Sequence, residues 1–527
     1  MKRPPATAPD AAPDAPVISP ALRRYLYVTA CVTGAAVMIV EILGAKMLAP
    51  YFGTSHFVWT AQIAVTMAAL ACGYYAGGRL VDRAARLGRL YASILAASLV
   101  LVLTVGLRER VSYALLGLPL AVGSLLASVF LFFIPLGLLA MTGPFLARVI
   151  ARSLADVGGT VGRLTALSTI GSFIGTAAIG YLLIPLLPNS WTMYGTAAVL
   201  ALVAAIWFAA WGRRVRSATA AAACVALGVA AGAWGLRFDG PRIPGNQELF
   251  RGNSSFGLLQ VIQPSGSRIR LYLTDYLTQN VYDPVSGTSA AMFTWMLEDL
   301  ARTYAPRLDD VLCIGMGVGI VPRDLARDGA RVDVVEINPA VVPVARRFFD
   351  LDTTAFRLTL GDGRWFVNQA SRRYDAVILD AFVGDSVATH LMSRESFASI
   401  ARLLRPDGVL VINTFVDFDS PRDFLGGSLA KTLRSVFPSV RIHGARGANM
   451  LFVASPRAPL AMVHEPDFGR VHPDAIADVR QAFATLWEPD PGAGIVLTDD
   501  FNPADFHDAA NRERFRRRLA LAMQTRS

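Results

Sequence analysis

Long apolar runs separated by short polar segments dominate the first half of the chain. Each run has roughly the 20 residues that a helix needs to cross the hydrocarbon core of a bilayer. The candidate spans are Tyr25–Leu48, Val58–Gly78, Leu90–Leu107, Ala121–Thr142, Leu164–Leu187, Trp191–Trp211 and the weakly apolar Ala218–Leu236. The pattern predicts a transmembrane domain of six or seven helices over residues 23–238, preceded by a proline-rich, disordered tail over residues 1–22.

The pattern changes in the second half of the chain. Residues 247–285 contain short runs of alternating polar and apolar residues with turn residues between them, which predicts a small antiparallel β cap. Strand-like apolar runs then alternate with helical stretches over residues 286–510, which predicts a mostly parallel, Rossmann-like α/β domain. Residues 511–527 are predicted to form a basic C-terminal tail.

Composition and charge agree with this division. Of 527 residues, 53% are hydrophobic and 17% are charged, whereas soluble domains carry about 25% charged residues. Residues 1–250 hold 19 Lys and Arg against 8 Asp and Glu, so the net charge of +10 belongs to the hydrophobic half. Basic residues that flank apolar runs are typical of membrane proteins, and no nucleic-acid partner is expected. The four cysteines are far apart, which excludes a disulfide scaffold and a thiolate zinc site.

Arginines in the loops predict the orientation of the helices. The loops after the second, fourth and sixth spans are rich in arginine, whereas segments 51–57 and 188–190 contain neither lysine nor arginine. Positively charged loops remain in the cytoplasm, so these loops and the N-terminus are predicted to be cytoplasmic. Six spans leave the C-terminal half inside, and seven place it outside. Because the seventh run is weakly apolar, we expect a multi-pass inner-membrane protein with a cytoplasmic C-terminal domain.

A glycine-rich turn follows the first strand of the α/β domain. Strand Asp310–Ile314 runs directly into Gly315-Met-Gly-Val-Gly319, and ligands of open α/β sheets bind beyond the carboxyl ends of the strands. Glycines let the backbone approach a ligand closely, so Gly315, Gly317 and Gly319 are candidate ligand-binding residues. Glu336 lies 21 residues after Gly315, where a carboxylate accepts hydrogen bonds from ribose hydroxyls.

Two further acidic residues follow the third and fourth predicted strands. Gly361-Asp362-Gly363 follows the third strand, and Asp380 follows the fourth. The glycine turn with Glu336 fits NAD and S-adenosyl ligands alike, and Asp362, as an acceptor for an adenine amino group, favours an adenosyl sulfonium. The alternatives are that Glu336 caps a helix, that Asp362 is a turn residue and that Asp380 is a helix N-cap. We expect His390 to be a loop histidine.

These motifs, in this order, resemble a known family. In the second half the resemblance rests on Leu273-Thr-Asp-Tyr-Leu-Thr-Gln279, the glycine turn, Gly361-Asp-Gly363, Leu379-Asp-Ala-Phe382 and Leu497-Thr-Asp-Asp-Phe-Asn-Pro503. In the first half it rests on Leu48-Ala-Pro-Tyr-Phe-Gly53 and Thr169-Ile-Gly-Ser172. The second half is similar to the spermidine synthase (polyamine aminopropyltransferase) family, which has a methyltransferase-like fold. The whole chain resembles the bacterial membrane-fused form of that family.

The resemblance implies a donor, an acceptor and a base. The donor is decarboxylated S-adenosylmethionine, with its ribose on Glu336 and its adenine near Asp362 and Gly363. The acceptor is an amine such as putrescine, which is protonated at neutral pH and must lose a proton before it attacks. Asp380 matches the family's catalytic base. No metal is implied.

The amine half of the site departs from the family's pattern. Val318 stands where soluble members have an acid in the glycine turn, and Phe293-Thr294-Trp295 stands where they have Tyr-His-Glu. Their second acid, three residues past the base, is Val383 here, whereas Asp385 lies five residues past it. Gln279 and Asp385 are the candidate amine-binding residues.

Three functions remain open at this point. The first is a membrane-bound transferase that moves an aminopropyl group to putrescine, giving spermidine, or to a different amine. The second is a transporter or sensor whose degenerate synthase domain binds a polyamine or nucleoside without catalysis, with Glu41 of the first span as its polar site. The third is a methyltransferase that uses S-adenosylmethionine itself. The expected partners are an amine, an adenosyl-sulfonium ligand and the lipid bilayer, and a homo-oligomer is left open.

Overall fold

The first half of the chain folds as a helical bundle. The computed structural model describes residues 18–151, 157–212, 215–235, 245–383, 386–416, 418, 424–445, 449–504 and 506. The bundle helices in these residues are α1 (Pro20–Phe52), α2 (His56–Arg83), α3 (Leu87–Leu115), α4 (Leu120–Ile150), α5 (Val157–Leu186), α6 (Asn189–Trp211) and α7 (Val215–Gly235). The predicted terminal tails lie outside the described residues at 1–17 and 507–527.

Helices α1 to α6 are each long and apolar enough to cross a membrane, as the six strong spans of the sequence predict. Helix α7 takes the place of the weak seventh candidate, and its apolar part is shorter, at Ala222–Ala233. Helix α1 begins at Pro20, inside the segment predicted to be a disordered tail. It starts there because the Ser19 hydroxyl accepts a hydrogen bond from the Leu22 N–H, and because proline suits the first turn of a helix.

Glycines bring the bundle helices close together. A Cβ at Gly175 of α5 would lie 2.6 Å from the Ala35 carbonyl oxygen of α1. A Cβ at Gly73 of α2 would collide with the carbonyl oxygen of Gly137 in α4. Small residues spaced four apart allow such contacts between backbones. The Gly73/Gly77 and Gly171/Gly175 spacings therefore serve close packing of the helices.

An antiparallel sheet follows the bundle. Its strands are β1 (Asn246–Ser254), β2 (Gly257–Pro264), β3 (Arg270–Thr274), β4 (Leu277–Asp283) and β5 (Thr288–Ser289), and they pair in chain order. The turn between β3 and β4 has positive φ at Asp275 and Tyr276. The Asp275 carboxylate accepts a hydrogen bond from the Leu258 N–H, so this turn is tied to the start of β2.

The rest of the described chain is built around a seven-stranded sheet with the strand order β13-β14-β12-β9-β6-β7-β8. The strands are β6 (Asp310–Ile314), β7 (Arg331–Glu336), β8 (Arg357–Leu360), β9 (Tyr374–Leu379), β12 (Leu404–Thr414), β13 (Ser439–Gly444) and β14 (Met450–Ser455), with a small hairpin of β10 (Phe382–Val383) and β11 (Ser386–Val387). The helices are α8 (Met292–Tyr304), α9 (Ile320–Arg327), α10 (Val341–Phe348), α11 (Gly363–Gln369), α12 (Arg394–Leu403), α13 (Phe424–Arg434) and α14 (Ile476–Ala484).

Helices bury both faces of this sheet. One apolar cluster joins strand residues to α8, α10 and α14, and a second joins the opposite face to α12 and α13. Every residue of β6 and β9 is buried, which explains why these strands are largely apolar in the sequence apart from Asp310 and Asp375, which pair with arginines. From β6 the sheet continues through β7 to β8 on one side, and from β9 it continues to β12 on the other. The boundary between β6 and β9 is therefore the topological switch point, where open α/β sheets bind ligands.

Candidate active site

Three neighbouring strands place predicted site residues at one level. Ile314 of β6 pairs with the residue before Glu336 in β7 and with the residue before Asp380 in β9. Gly315, Glu336 and Asp380 therefore lie side by side at the carboxyl edge of the sheet, with roughly 5 Å between neighbouring strands. This common level follows from the register, which the sequence does not state.

A cavity of about 300 Å³ opens at this edge. The predicted site residues that line it are Gln279, Gly315, Gly317, Glu336, Asp362, Gly363 and Asp380. Gly319 is not among its lining residues; it is the N-cap of α9, with a φ of 85°, and packs against Leu351. Asp385 lies outside the described residues.

The glycine turn wraps around a polar side chain of the β cap. Gly315 has a φ of 94°, and a Cβ there would collide with the carbonyl oxygen of Asp380. Gly317 has a φ of 53°, and a Cβ there would lie 2.6 Å from Oδ1 of Asn280. The same Asn280 oxygen accepts a hydrogen bond of 3.2 Å from the Val318 N–H. Asn280 therefore fixes the turn by a contact from β4 that the sequence analysis did not anticipate.

Glu336 is bound by the backbone on both of its oxygens. Oε2 accepts a hydrogen bond of 3.0 Å from the Met316 N–H in the glycine turn, and Oε1 accepts one of 2.7 Å from the Asn338 N–H. Burial raises the pKa of Glu336, while these backbone donors lower it. A carboxylate has about four acceptor positions, so the backbone donors of Met316, Ile337 and Asn338 leave acceptor capacity for a ligand.

Asp362 caps a helix, a role that differs from the turn residue named as its alternative in the sequence analysis. It is the N-cap of α11, and its Oδ1 accepts a hydrogen bond of 2.8 Å from the Trp365 N–H. Its Oδ2 lies 3.0 Å from Nε2 of His390, which stands on a single 3₁₀ turn, Thr389–Leu391. His390 is exposed at the cavity mouth and therefore contacts the site through Asp362.

Asp380 is held by a chain of two amides. Its Oδ1 accepts a hydrogen bond of 2.9 Å from Nδ2 of Asn413, at the end of β12. Oδ1 of Asn413 in turn accepts one of 2.8 Å from Nδ2 of Asn449, which fixes the orientation of the Asn413 amide. The pKa of Asp380 is raised to about 6, and burial is the main cause. The hydrogen bond from Asn413 opposes this shift, and the charge of Glu336 adds to it. A carboxylate with this pKa is ionised at neutral pH and is a better proton acceptor than an ordinary aspartate.

Aromatic rings line the cavity beside Asp380. Phe293 of α8, Phe382 of β10 and Phe415 after β12 line it, and the rings of Phe382 and Phe415 have centroids 5.4 Å apart. Tyr272 of β3 lines the cavity from the cap. The site thus combines a deep polar floor with apolar walls, as ligand sites commonly do.

Asn280, Asn413 and Asn449 are among the polar residues of the cavity that were not predicted from the sequence. Asn413 was within reach of the sequence, because it nearly ends a predicted parallel strand at the ligand-binding edge. Asn280 and Asn449 carry no such signal. Asn280 lies in the hairpin of β3 and β4, and Asn449 directly precedes β14. Their positions depend on how these elements pack against the rest of the sheet.

The second half of the chain is similar to known proteins. A family model for the spermine/spermidine synthase domain matches residues 291–441. The polyamine aminopropyltransferase of Vibrio vulnificus is 38% identical over 221 residues, which are 38% of this chain and 71% of that protein. A putrescine N-methyltransferase of Nicotiana attenuata is 36% identical over 126 residues, which are 22% of this chain and 34% of that protein.

One solved structure is also similar to the chain. The spermidine synthase of Thermotoga maritima matches with a TM-score of 0.37 and 18% identity, over 46% of this chain and 85% of that one. The match to the Vibrio protein carries the assignment, since it spans 71% of that protein at 38% identity. The chain therefore belongs to the spermidine synthase (polyamine aminopropyltransferase) family.

Proposed function

We propose that the protein is a membrane-anchored aminopropyltransferase. It transfers the 3-aminopropyl group of decarboxylated S-adenosylmethionine to an amine and releases methylthioadenosine. The observation that carries the proposal is the common level of Gly315, Glu336 and Asp380, with Asp380 hydrogen-bonded by Asn413 and its pKa raised to about 6. Six long apolar helices support the membrane anchor.

The donor is bound along the strand ends. The Glu336 carboxylate suits the ribose hydroxyls, because a hydroxyl donates a hydrogen bond and an ionised carboxylate only accepts. Gly315 and Gly317 leave no side chain between the turn and the nucleoside. Asp362 and Gly363 lie at the next strand end, where the adenine ring binds, and Asp362 accepts from its amino group.

Asp380 is the catalytic base. The ionised carboxylate attracts the ammonium group of the acceptor and takes one of its protons. The freed amine lone pair then attacks the methylene carbon beside the sulfonium. A C–N bond forms, the C–S bond breaks, and its electron pair stays on sulfur as a neutral thioether. Because the sulfonium is already a good leaving group, positioning supplies much of the remaining acceleration.

The acceptor amine lies between Asp380 and the aromatic wall. Phe293 and Phe382 contact its carbon chain, and Gln279 and Asp385 are the proposed polar contacts at its far end. We propose a putrescine-like diamine as the first acceptor to test. An amine with one charge and a longer apolar chain is the second.

The direct test uses the full chain, purified in detergent. The protein is incubated with decarboxylated S-adenosylmethionine and a panel of diamines and monoamines, and methylthioadenosine is measured. We expect turnover with at least one amine and its loss in Asp380→Asn, while Asp474→Asn, which changes an exposed acid, is unaffected. If no amine gives methylthioadenosine, the proposal fails.

A methyltransferase is the second candidate, favoured by the similarity to a putrescine N-methyltransferase. It would use S-adenosylmethionine and release S-adenosylhomocysteine. Supplying each donor in turn with the same amines separates the two reactions by their nucleoside product.

A further inference from the structure

The two ends of the helical bundle differ sharply in charge. One end carries twelve arginines: Arg23, Arg24, Arg79, Arg83, Arg86, Arg89, Arg148, Arg152, Arg163, Arg213, Arg214 and Arg216. The segments toward the other end, at residues 40–60, 100–125 and 180–195, contain Lys46, Arg108 and Arg110. Loops that are rich in arginine stay in the cytoplasm, so the arginine-rich end is the cytoplasmic end.

The catalytic domain docks on the arginine-poor end. Nδ2 of Asn253 in β1 donates a hydrogen bond to the carbonyl oxygen of Leu187, in the turn between α5 and α6. The ring of Phe506 stacks on His56 at the start of α2, with centroids 5.2 Å apart. Both contacts are made by residues next to loops that lack lysine and arginine.

The tip of a cap hairpin lies near this end. Tyr276, in the turn between β3 and β4, is 6% exposed. Burial raises the pKa of Tyr276, while Arg251 of β1 and Arg108, near the end of α3, lower it. The guanidinium of Arg108 is thus close enough to act on a phenol of the cap. The hairpin that carries Tyr276 also contributes Tyr272 and Gln279 to the active-site cavity.

Helix α7 connects the two ends. Helix α6 finishes at the arginine-rich end, where Trp207 contacts Gly88 at the start of α3. Helix α7 then runs back along the bundle, with Gly228 against Leu99 in the middle of α3 and Gly232 against Tyr194 near the start of α6. Its 21 residues span roughly 31 Å at 1.5 Å per residue, which matches a hydrocarbon core of about 30 Å.

We propose that α7 is a seventh membrane crossing and that the catalytic domain, with its cavity, faces the extracytoplasmic side. A chain that leaves α6 at one end and docks at the other has to traverse the bilayer, and it does so as a helix because backbone groups in lipid need internal hydrogen bonds. The weak hydropathy of α7 is compensated by packing, since Cys224, Val225 and Ala231 lie against the bundle core. This orientation replaces the cytoplasmic one expected from sequence.

The orientation has a consequence for the reaction, which rests on the proposed function. A sulfonium donor carries a fixed positive charge and does not enter lipid unaided. A cavity on the extracytoplasmic side therefore requires a transport step that carries the donor across the membrane before the transfer reaction.

The orientation is tested by cysteine labelling, which needs no activity. Cys31, Cys72 and Cys224 are replaced by alanine, and Cys313 is kept because it is buried within β6. One cysteine is then introduced per variant. Val285→Cys reports on the catalytic domain, where Val285 is 72% exposed. Ala85→Cys reports on the arginine-rich turn between α2 and α3, where Ala85 is exposed.

A membrane-impermeant maleimide is applied to spheroplasts and, separately, to permeabilised membranes. We expect the Val285→Cys variant to be labelled in both and the Ala85→Cys variant only after permeabilisation. The reverse pattern would overturn the extracytoplasmic assignment. Labelling of both variants in intact spheroplasts, or of neither until permeabilisation, would place both positions on one side and overturn the seventh crossing. Each of these results is independent of whether methylthioadenosine is formed.

Discussion

Asn413→Leu tests whether Asp380 is a base whose pKa is set by its amide partner. The substitution removes the 2.9 Å hydrogen bond from Nδ2 and leaves a side chain of similar size. A hydrogen bond to a charged group contributes about 1.5–3 kcal/mol, and one pKa unit corresponds to about 1.4 kcal/mol. The pKa of Asp380, about 6 in the native protein, should therefore rise to about 7–8.

This change predicts a particular pH dependence. At pH 7 roughly 90% of the native carboxylate is ionised, against roughly 10–50% in the variant, so kcat/KM should fall about 2- to 10-fold. At pH 9 both are ionised, and the difference should nearly vanish. The folded-state pKa is raised, so activity is lost as the pH falls through that pKa.

The assay measures kcat/KM for methylthioadenosine formation from pH 5.5 to 9. The ratio of variant to native protein cancels the ionisation of the amine substrate, which is common to both. Asn368→Leu makes the same change at an exposed position of α11 and should leave the ratio at one. A ratio for Asn413→Leu that stays constant from pH 6 to pH 9 would refute the assignment of Asp380 as the titrating base.

Three further predictions concern the donor site and the stability of the sheet. Glu336→Gln removes the charge and one acceptor oxygen that the ribose hydroxyls would use, a hydrogen bond of about 1.5–3 kcal/mol, so calorimetry should find methylthioadenosine binding weakened about tenfold or more. Gly317→Ala forces alanine into a positive φ against Asn280, and we expect a melting temperature lower by roughly 2–4 °C and weaker binding of the same nucleoside. Asp310 is buried and pairs with Arg331, Arg372 and Arg405, which hold its pKa well below the usual range. Its contribution is present above the unfolded pKa of about 4 and is lost as the pH falls, so Asp310→Asn should lower the melting temperature at pH 7 and progressively less toward pH 3.

Periodicity and turn residues predicted much of the fold. Six apolar runs of the right length became six long helices, because the length that crosses a bilayer is fixed by the rise of a helix. The strand–helix alternation predicted the parallel sheet. The positions of Glu336 and Asp380 at strand ends were visible for the same reason, since parallel strands bring their carboxyl ends to one edge.

The contacts of these residues were beyond the reach of the sequence, although Asn413 itself could have been found near its strand end. Asn413 reaches Asp380, and Asn449 reaches Asn413, because β12 lies between β9 and β14 in the sheet, although β14 comes two strands later in the chain. The contact between Asp362 and His390 depends on the segment Thr389–Leu391, which returns to the start of α11. Such contacts depend on strand order and register, which are properties of the whole chain.

The sequence by itself determined which segments are helices and strands, which end of the bundle is positively charged, and which acids lie at the strand ends. These are local properties, set by apolar periodicity, by turn residues and by charges near each span. Only the tertiary structure decided that α7 returns along the bundle and that the β cap docks on the turn between α5 and α6. Helix α7 is weakly apolar and is held by contacts with α3 and α6, and contacts between distant segments form only when the whole chain is packed.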